Sequence, residues 1–188
     1  MGRSTIWLAA SVAGTLALAS PALAVDTASA VLKDASGKDV GKATLTVAPS
    51  GVLVSLDLAA VPAGEHAFHI HAVGKCEPPD FKSAGPHFNP DETKHGLLNP
   101  EGPHAGDMPN LHVPQSGELS VEVVNSVVTL EKGKPNSLSD SDGSALVIHA
   151  KADDYKTDPA GNAGDRIACG VIRQSGAATV GSAPPPKK

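Results

Sequence analysis

Six of the eight histidines and one aspartate have the side-chain types and the spacing of metal ligands. They form three groups along the chain, namely His69 with His71, then His87 with His95, His104 and Asp107, and finally His149. Imidazole nitrogens and carboxylate oxygens bind zinc and other transition metals. This concentration of ligands predicts a site that holds more than one metal ion.

The pair His69 and His71 lies in a segment with the alternation of a β-strand. Residues two apart on a strand face the same side, with Cα atoms about 6 to 7 Å apart, so both imidazoles can reach one ion. An H-x-H pair alone is equally compatible with ordinary surface or core histidines. His149 ends the apolar run 146–148, where a core histidine bonded to the backbone is the alternative to a ligand.

The second group is the stronger indication, because three histidines and an aspartate lie within 21 residues. No cysteine thiolate is among them, and nitrogen and oxygen ligands in this number fit tetrahedral zinc. His66 and His112 lie outside the three groups, and we interpret both as structural residues.

The ligand count indicates how the groups could combine. The first and third groups together supply three ligands, one short of four, whereas the second group supplies four. An imidazole has two ring nitrogens, so one histidine shared between two metals would complete both sites. Nitrogen ligands alone suit copper(II), and a site that includes a carboxylate suits zinc.

Short alternating segments predict an all-β protein. Residues 52–58 alternate apolar and polar side chains with period two, the pattern of a strand with one buried face. The eight predicted strands are 28–32, 43–47, 52–58, 67–71, 119–123, 127–130, 145–149 and 166–172, with turn signals between them. Because no convincing amphipathic helix accompanies them, they favour an antiparallel sandwich or barrel.

The segment Val73–Gln115 contains no credible strand, and a loop of that length in a compact domain is usually functional. It carries Cys76 and the whole second ligand group. The only other cysteine is Cys169, and in an exported protein we expect the two to form a disulfide. Metal bonds and a disulfide could order a loop that has few large apolar residues.

The first 24 residues have the three parts of a secretory signal peptide, which are Arg3, the apolar run Ile6–Leu18 and the small residues Ala22–Ala24. The apolar run is shorter than the roughly 20 residues of a membrane helix. We therefore expect export, cleavage after Ala24 and no membrane attachment of the mature chain.

The mature chain is expected to contain one domain, residues 25–174, followed by a disordered tail, residues 175–188, that ends in three prolines and two lysines. Removal of the signal removes Arg3 and no acidic residue, so the net charge changes from -5 to -6. This charge argues against a nucleic-acid partner. The sequence also lacks G-x-S-x-G, H-E-x-x-H and phosphate-binding glycine motifs, which argues against a hydrolase.

Six motifs carry a family resemblance. They are FHIH at 68–71, SAGPHFNP at 83–90, KHG at 94–96, GPHAGD at 102–107, VIHAKADD at 147–154 and GNAGDRIACG at 161–170. In these motifs the chain resembles copper-zinc superoxide dismutase over essentially the whole mature domain. With its signal peptide and the insertion-bearing segment 74–81, it looks like a bacterial periplasmic member.

The resemblance implies a Greek-key β-sandwich or barrel of about eight antiparallel strands with long metal-binding and electrostatic loops. It also implies one copper ion and one zinc ion per subunit. The copper ligands would be His69, His71, His87 and His149, and the zinc ligands would be His87, His95, His104 and Asp107. His87 would bridge the metals, Asp153 would hydrogen-bond His69 and His95, and Cys76–Cys169 would tie the long loop to the last strand.

The implied reaction is the disproportionation of superoxide to dioxygen and hydrogen peroxide, with Arg166 guiding the anion and His87 carrying a proton. The segment Tyr155–Ala160 is shorter than the electrostatic loop of eukaryotic members, so Lys94 and Lys156 are only candidates for steering the substrate. A homodimer and a monomer both remain compatible with the sequence. The alternatives are an exported copper-binding protein without turnover and a disulfide-stapled β-domain with incidental zinc.

Overall fold

The computed structural model describes residues 24–179 and contains ten β-strands and one turn of 3₁₀ helix, Lys82–Ala84. The strands are β1 Ala24–Asp34, β2 Asp39–Ala48, β3 Gly51–Ala59, β4 Gly64–His66, β5 Phe68–His71, β6 Leu111–Val113, β7 Glu118–Asn125, β8 Ala145–His149, β9 Arg166–Val171 and β10 Arg173–Thr179. Within this range no helix is long and apolar enough to cross a membrane.

All of the named strands pair antiparallel. The main sheet has the order β5-β8-β9-β1-β2-β3-β7, with β10 also paired to β1, and β4 pairs with β6 in a small second sheet. The chain leaves β3 near one edge of the main sheet and enters β5 at the other, and it crosses again between β7 and β8. These crossings are Greek-key connections, so the predicted all-β class is confirmed.

Strands β2 and β3 show how the alternation forms the core. Leu45 pairs with Val54 and Ala43 pairs with Leu56, and all four side chains are buried. The intervening residues face outward, as a period of two requires. The main core is therefore built largely from aliphatic residues of the sheet's inner face.

The predicted strand at 127–130 is wrong. Val128 and Leu130 are buried in the core, but the chain there forms only an isolated bridge between Thr129 and Ser137. The side-chain oxygen of Asn125 accepts the backbone N–H groups of Val127 and Val128, at 2.9 and 3.2 Å. These donors are consequently unavailable for hydrogen bonds to a neighbouring strand. The alternation of apolar residues here reflects their burial and not strand formation.

The expectation of no strand in 73–115 is also wrong at one place, because β6 lies within that segment. Its three residues are too few to show a periodic pattern in the sequence. They pair with β4 and contact β7. The small sheet therefore lies against β7, one edge strand of the main sheet, and its strand β4 directly precedes β5, the other edge strand, in the chain.

The first five residues of the tail that we expect to be disordered, 175–179, belong to β10. Strand β9 pairs with β1 at Lys33 and Asp34 and no further, so the first half of β1 has no partner in β9 on that side. β10 supplies this partner through backbone groups and needs no apolar face. Residues 1–23, which carry nearly all of the predicted signal, and residues 180–188 lie outside the described part of the chain.

Strands β5 and β8 are buried on both faces and position the ligands. Phe68, Ile70, Leu146 and Ile148 face the main core. The opposite face is covered by residues 72–110, which we call the long loop. Phe81, Ala84 and Cys76 of the loop pack there against Ala145, Val147 and Cys169 of the sheet in a second apolar cluster.

The predicted disulfide is confirmed. Cys76 of the long loop is bonded to Cys169 of β9, 93 residues further along the chain. In the chain-entropy model a loop of this length corresponds to about 4.7 kcal/mol of stabilisation, although real disulfides often give less. The bond thus ties the start of the long loop to the sheet that the loop covers.

Candidate metal centre

All seven predicted ligands meet in one buried place, where they form two groups. The four-histidine group contains His69, His71, His87 and His149, and the aspartate group contains His87, His95, His104 and Asp107. Within each group the ligand atoms lie within 4.8 Å of one another. His87 belongs to both groups, which is the sharing that the ligand count required.

The four-histidine group forms where β5 and β8 pair. His69 pairs with Val147, so His149, two residues later on β8, faces the same side as His69 and His71. The register between β8 and β9 shifts at His149, and such irregularities commonly redirect a side chain at an active site. His149 is therefore a member of the group, which its sequence position alone left open.

The long loop reaches this group by pairing with the free edge of β5. Ile70 donates its N–H to Gly106 at 2.9 Å and accepts the N–H of Phe88 at 2.9 Å. A Cβ on Gly106 would lie 2.3 Å from the carbonyl oxygen of Ile70, so a glycine is required there. This pairing brings His87 and Asp107 beside β5.

The nitrogens of the four-histidine group face one another. The Nε2 atoms of His71 and His149 are 3.4 Å apart, and Nδ1 of His69 and Nε2 of His87 are buried without a hydrogen-bond partner among the described residues. Leaving a buried polar atom unpaired costs about 1 to 3 kcal/mol. Two such nitrogens in one group indicate that their function is to bind a ligand, and their chemistry fits copper.

The aspartate group has the spacing of a tetrahedral site. Oδ1 of Asp107 lies 2.9, 3.1 and 3.5 Å from the Nδ1 atoms of His87, His95 and His104, and the Nδ1 atoms of His87 and His104 are 3.3 Å apart. Four ligands on a tetrahedral zinc with bonds of about 2.0 Å would be about 3.3 Å apart. The donors present therefore fit zinc.

Asp153 connects the two groups, as the resemblance implied. Its carboxylate accepts hydrogen bonds from Nε2 of His69 at 2.8 Å and from Nε2 of His95 at 3.0 Å. Asn110 holds Asp153 in turn, accepting its N–H at 2.8 Å and donating to its carbonyl at 2.9 Å. Asn110 follows the GPHAGD motif by three residues, but its pairing with residue 153 leaves no signal in the sequence.

Gly161 is the residue that leaves room for this network. Its φ is +61°, and a Cβ there would lie 1.8 Å from Oδ1 of Asp153 and 2.8 Å from Nε2 of His95. Any side chain would displace the carboxylate. This explains one glycine of the GNAGDRIACG motif.

Backbone carbonyls hold two more histidines. Nδ1 of His71 donates to Gly85 at 2.9 Å, and Nδ1 of His149 lies 3.3 Å from the carbonyl oxygen of Gly164. These contacts leave the Nε2 atoms of both rings for a metal. As predicted, His66 and His112 belong to neither group.

Burial determines the charge of the four-histidine group. Together with a smaller contribution from neighbouring histidines, it lowers the pKa of His71 to about 2, of His149 to about 3 and of His87 to about 4. These rings are thus neutral near pH 7, which is the form that binds a metal.

In the aspartate group, neighbouring carboxylates outweigh burial and raise the pKa of a histidine. Burial opposes protonation of His95, but hydrogen bonds with Asp107 and Asp153 raise its pKa to about 9. Burial alone would raise the pKa of Asp107 and Asp153, yet their hydrogen bonds with histidines hold both well below the usual range. Two carboxylates that stay charged favour a cation at this position.

Arg166 begins β9 opposite His149 and is partly buried. Its two terminal nitrogens donate to the carbonyls of Phe81 and Gly85, each at 2.7 Å. Gly85 also accepts the ring N–H of His71, so Arg166 and a ligand of the four-histidine group share one acceptor. The guanidinium is consequently fixed beside that group.

A pocket of about 440 Å³ opens beside the guanidinium, and its lining residues are Pro79, Asp80, Lys82, Gly164, Asp165 and Arg166. Of the two lysines considered from the sequence, Lys94 lines a different cleft and Lys156 does not line this pocket. Lys82 does line it and was missed, because no motif marks an exposed lysine.

Comparison with known proteins agrees with this geometry. A sequence model of copper/zinc superoxide dismutase (SODC) matches residues 40–172. The chain belongs to the copper-zinc superoxide dismutase family. It is 62% identical over 138 residues to "Superoxide dismutase [Cu-Zn] 1" of Aquifex aeolicus, covering 73% of this chain and 82% of that protein.

Two solved structures show the same fold. A SOD-like protein from Bacillus subtilis is 40% identical with a TM-score of 0.75, and the match covers 77% of this chain and 97% of that one. Cu/Zn superoxide dismutase from Brucella abortus is 29% identical with a TM-score of 0.63, covering 78% and 99%. The protein is an enzyme that disproportionates superoxide to dioxygen and hydrogen peroxide with one copper and one zinc ion per subunit.

Acidification should destabilise the metal-free superoxide dismutase. Between pH 7 and 5 the unfolded chain protonates His71, His87 and His149 near their ordinary pKa of 6.5, whereas the folded protein keeps them neutral. Because the unfolded state then binds more protons, the free energy of unfolding falls. His95 acts in the opposite direction, but one group opposes three.

We expect a net loss on the order of 3 kcal/mol in urea unfolding of the metal-free protein at pH 5 relative to pH 7. The metal-loaded protein is the comparison and should lose at least as much, since bound metals also keep His95 deprotonated in the folded state while the unfolded chain still binds protons. A free energy of unfolding that is constant or higher at pH 5 would contradict the lowered pKa values.

Proposed function

We propose that the four-histidine group holds the catalytic copper, that the aspartate group holds a structural zinc, and that His87 bridges them. The supporting observation is the orientation of His87. Its Nδ1 lies among the atoms of the aspartate group, and its Nε2 is a buried nitrogen without a partner among the described residues. Four nitrogens suit copper(II), and three nitrogens with a carboxylate suit zinc.

When bound, copper supplies the one-electron chemistry by which two superoxide anions and two protons become dioxygen and hydrogen peroxide. The residues of the chain bind the anion, supply protons and hold the geometry. We assign one proton to Nε2 of His87, the nitrogen that faces the four-histidine group. Nδ1 of the same ring remains in the aspartate group, so the ring keeps its place while Nε2 gains and gives the proton.

Arg166 is assigned to bind and orient superoxide. Both of its terminal nitrogens are fixed by carbonyls, and the second carbonyl, of Gly85, also orients His71. An anion drawn to the guanidinium is therefore drawn to the copper ligands as well. This local positive charge is needed because the full chain has a net charge of -5.

Lys82 is a further candidate for drawing the anion toward Arg166. Its ammonium group lies 2.9 Å from Asp80, and the two side chains are 83% and 54% exposed. An exposed pair of this kind is weak and screened by salt. In our proposal Arg166 therefore provides most of the attraction for the anion, and Lys82 adds a smaller contribution.

Replacing His87 with alanine should uncouple the two metals. Copper keeps three histidines, but zinc loses a ligand and the proton donor is gone. We expect a changed copper absorption spectrum, weaker zinc binding and a fall in turnover of about 100-fold or more, the usual size of a general-acid contribution. The measurements are metal content, visible absorption and pulse-radiolysis rates.

The matched control for that variant is His112→Ala. The His112 side chain is 73% exposed and, within residues 24–179, its one ion pair is with Glu65, so its removal should change neither metal content nor rate. An unchanged copper spectrum together with unchanged zinc affinity in His87→Ala would rule out the bridge.

Replacing Arg166 with alanine should slow capture of the anion while both metals stay bound. We expect a loss of about tenfold or more in kcat/KM and a shallower dependence on ionic strength, because a steering charge is removed. Arg173→Ala is the control, since it removes the same charge from an exposed position at the start of β10. Equal rates and equal salt slopes for Arg166→Ala and the parent protein would eliminate the anion-guiding role.

We propose that the enzyme acts in the periplasm after removal of residues 1–24. The disulfide supports an oxidising compartment, and the first residues have the composition of a secretory signal. Mass spectrometry of the protein from the periplasmic fraction should find a chain that begins at Val25. Recovery of the full chain with Met1 in the cytoplasm would refute export.

A further inference from the structure

We propose that Asp158 is a positioning residue of the zinc site, which holds the ring of His104 through its distal nitrogen and the backbone of His95 through its N–H. The proposal rests on the zinc ligands assigned above. Asp158 belongs to none of the ligand groups, and no motif of the sequence marks it for this role.

The first argument comes from the ring nitrogens that do not face a metal. Four of the histidines have an oxygen at that position, which is Asp153 for His69 and His95, Gly85 for His71 and Gly164 for His149. Both nitrogens of His87 are used by the two groups. His104 is the remaining ligand, and its Nδ1 faces the aspartate group.

The oxygen that faces the other nitrogen of His104 belongs to Asp158. Oδ1 of Asp158 lies 3.9 Å from Nε2 of His104, and no other acidic side chain in residues 24–179 lies within 4.0 Å of that nitrogen. This distance is longer than a hydrogen bond, so the contact is an electrostatic one between the carboxylate and the distal N–H of the ring. The His104 side chain is only 8% exposed, so the pair lies at the edge of the buried centre.

The second argument is that the Asp158 carboxylate is itself held in place. Oδ1 accepts the backbone N–H of His95 at 2.8 Å, and Oδ2 lies 3.6 Å from Nζ of Lys94. The same carboxylate oxygen thus contacts one zinc ligand through its backbone and another through its ring. Asp158 is 63 residues from His95 in the chain, so it ties a distant turn to the zinc site.

The turn that carries Asp158 forms without help from its carboxylate. Asp154 accepts the backbone N–H groups of Lys156 and Thr157 at 3.0 and 2.8 Å, and Gly161 donates to the carbonyl of Thr157 at 2.7 Å. Substitution of Asp158 should therefore leave the turn folded. Its effect can be separated from a general loss of structure.

A carboxylate on the distal nitrogen fixes the orientation of a metal-bound histidine and makes its metal-binding nitrogen more basic. Loss of such a partner typically weakens metal binding by about 10- to 100-fold. Asp158→Asn keeps an acceptor for the His95 N–H but loses the charge, so we expect zinc affinity to fall about tenfold. Asp158→Ala loses both contacts and should approach a hundredfold loss.

The test measures zinc affinity by competition with a chromophoric chelator in the copper-loaded protein, together with the visible spectrum of cobalt(II) bound in place of zinc. We expect weaker zinc binding and a shifted cobalt spectrum in Asp158→Asn, with copper affinity and metal-free thermal stability unchanged. Asp91→Asn is the control, because it makes the same charge change in the long loop, and Asp91 has no side-chain hydrogen bond or ion pair with any of residues 24–179. It should match the parent protein.

Unchanged zinc affinity and an unchanged cobalt spectrum in Asp158→Asn and Asp158→Ala would overturn the proposal, as would a loss of stability without a change in the cobalt spectrum. His104→Ala separates this failure from failure of the ligand assignment. That variant should lose zinc by more than the Asp158 variants do. If it retained zinc with the affinity of the parent protein, the assignment of His104 as a ligand would be wrong.

Discussion

The hydrogen bonds that Asp153 accepts from His69 and His95 join the two halves of the metal centre. One carboxylate orients a ring of each group, so neither group can shift without disturbing the other. Asp153 is nearly inaccessible to solvent, and Asn110 bonds both its backbone N–H and its backbone carbonyl. The carboxylate also explains why position 161 is a glycine, because a side chain there would occupy the position of the carboxylate. If either histidine moved away, the buried carboxylate would be left partly uncompensated, which costs free energy. The network is therefore rigid.

The long loop is ordered by bonds at a few points, and a continuous apolar face contributes little. Its backbone pairs with the free edge of β5 near Phe88 and Gly106, and Cys76 ties its start to β9. One turn of 3₁₀ helix, Lys82–Ala84, is the named element within it. The candidate ligands His87 and Asp107 adjoin the pairings with β5 at Phe88 and Gly106, and His95 and His104 lie between these two points. Metal binding and loop order are therefore coupled, since ligands held on an irregular segment depend on the anchors for their relative positions.

Opposite electrostatic environments meet at His87. On one side, burial keeps His71 and His149 neutral, which leaves their nitrogens free for a redox metal. On the other side, Asp107 and Asp153 stay charged and favour a cation. The substrate is an anion and the protein is acidic, so the approach depends on local charge. Arg166 supplies that charge at a position fixed by the same carbonyl that orients His71.

The sequence by itself determined the ligand types, the need for a shared histidine, the β class, the disulfide and seven of the eight predicted strands. These features follow from residue chemistry and from local periodicity, which act within a few residues of the chain. The segment 127–130 shows the limit of periodicity, because Asn125 takes the backbone donors that a strand would use. Tertiary structure brought His149 beside the other histidines of its group, because the pairing of β8 with β5 places its Nε2 3.4 Å from that of His71. It alone revealed Asn110, Lys82 and Asp158 as well, since each acts through contacts with segments distant in sequence, and such contacts leave no local pattern.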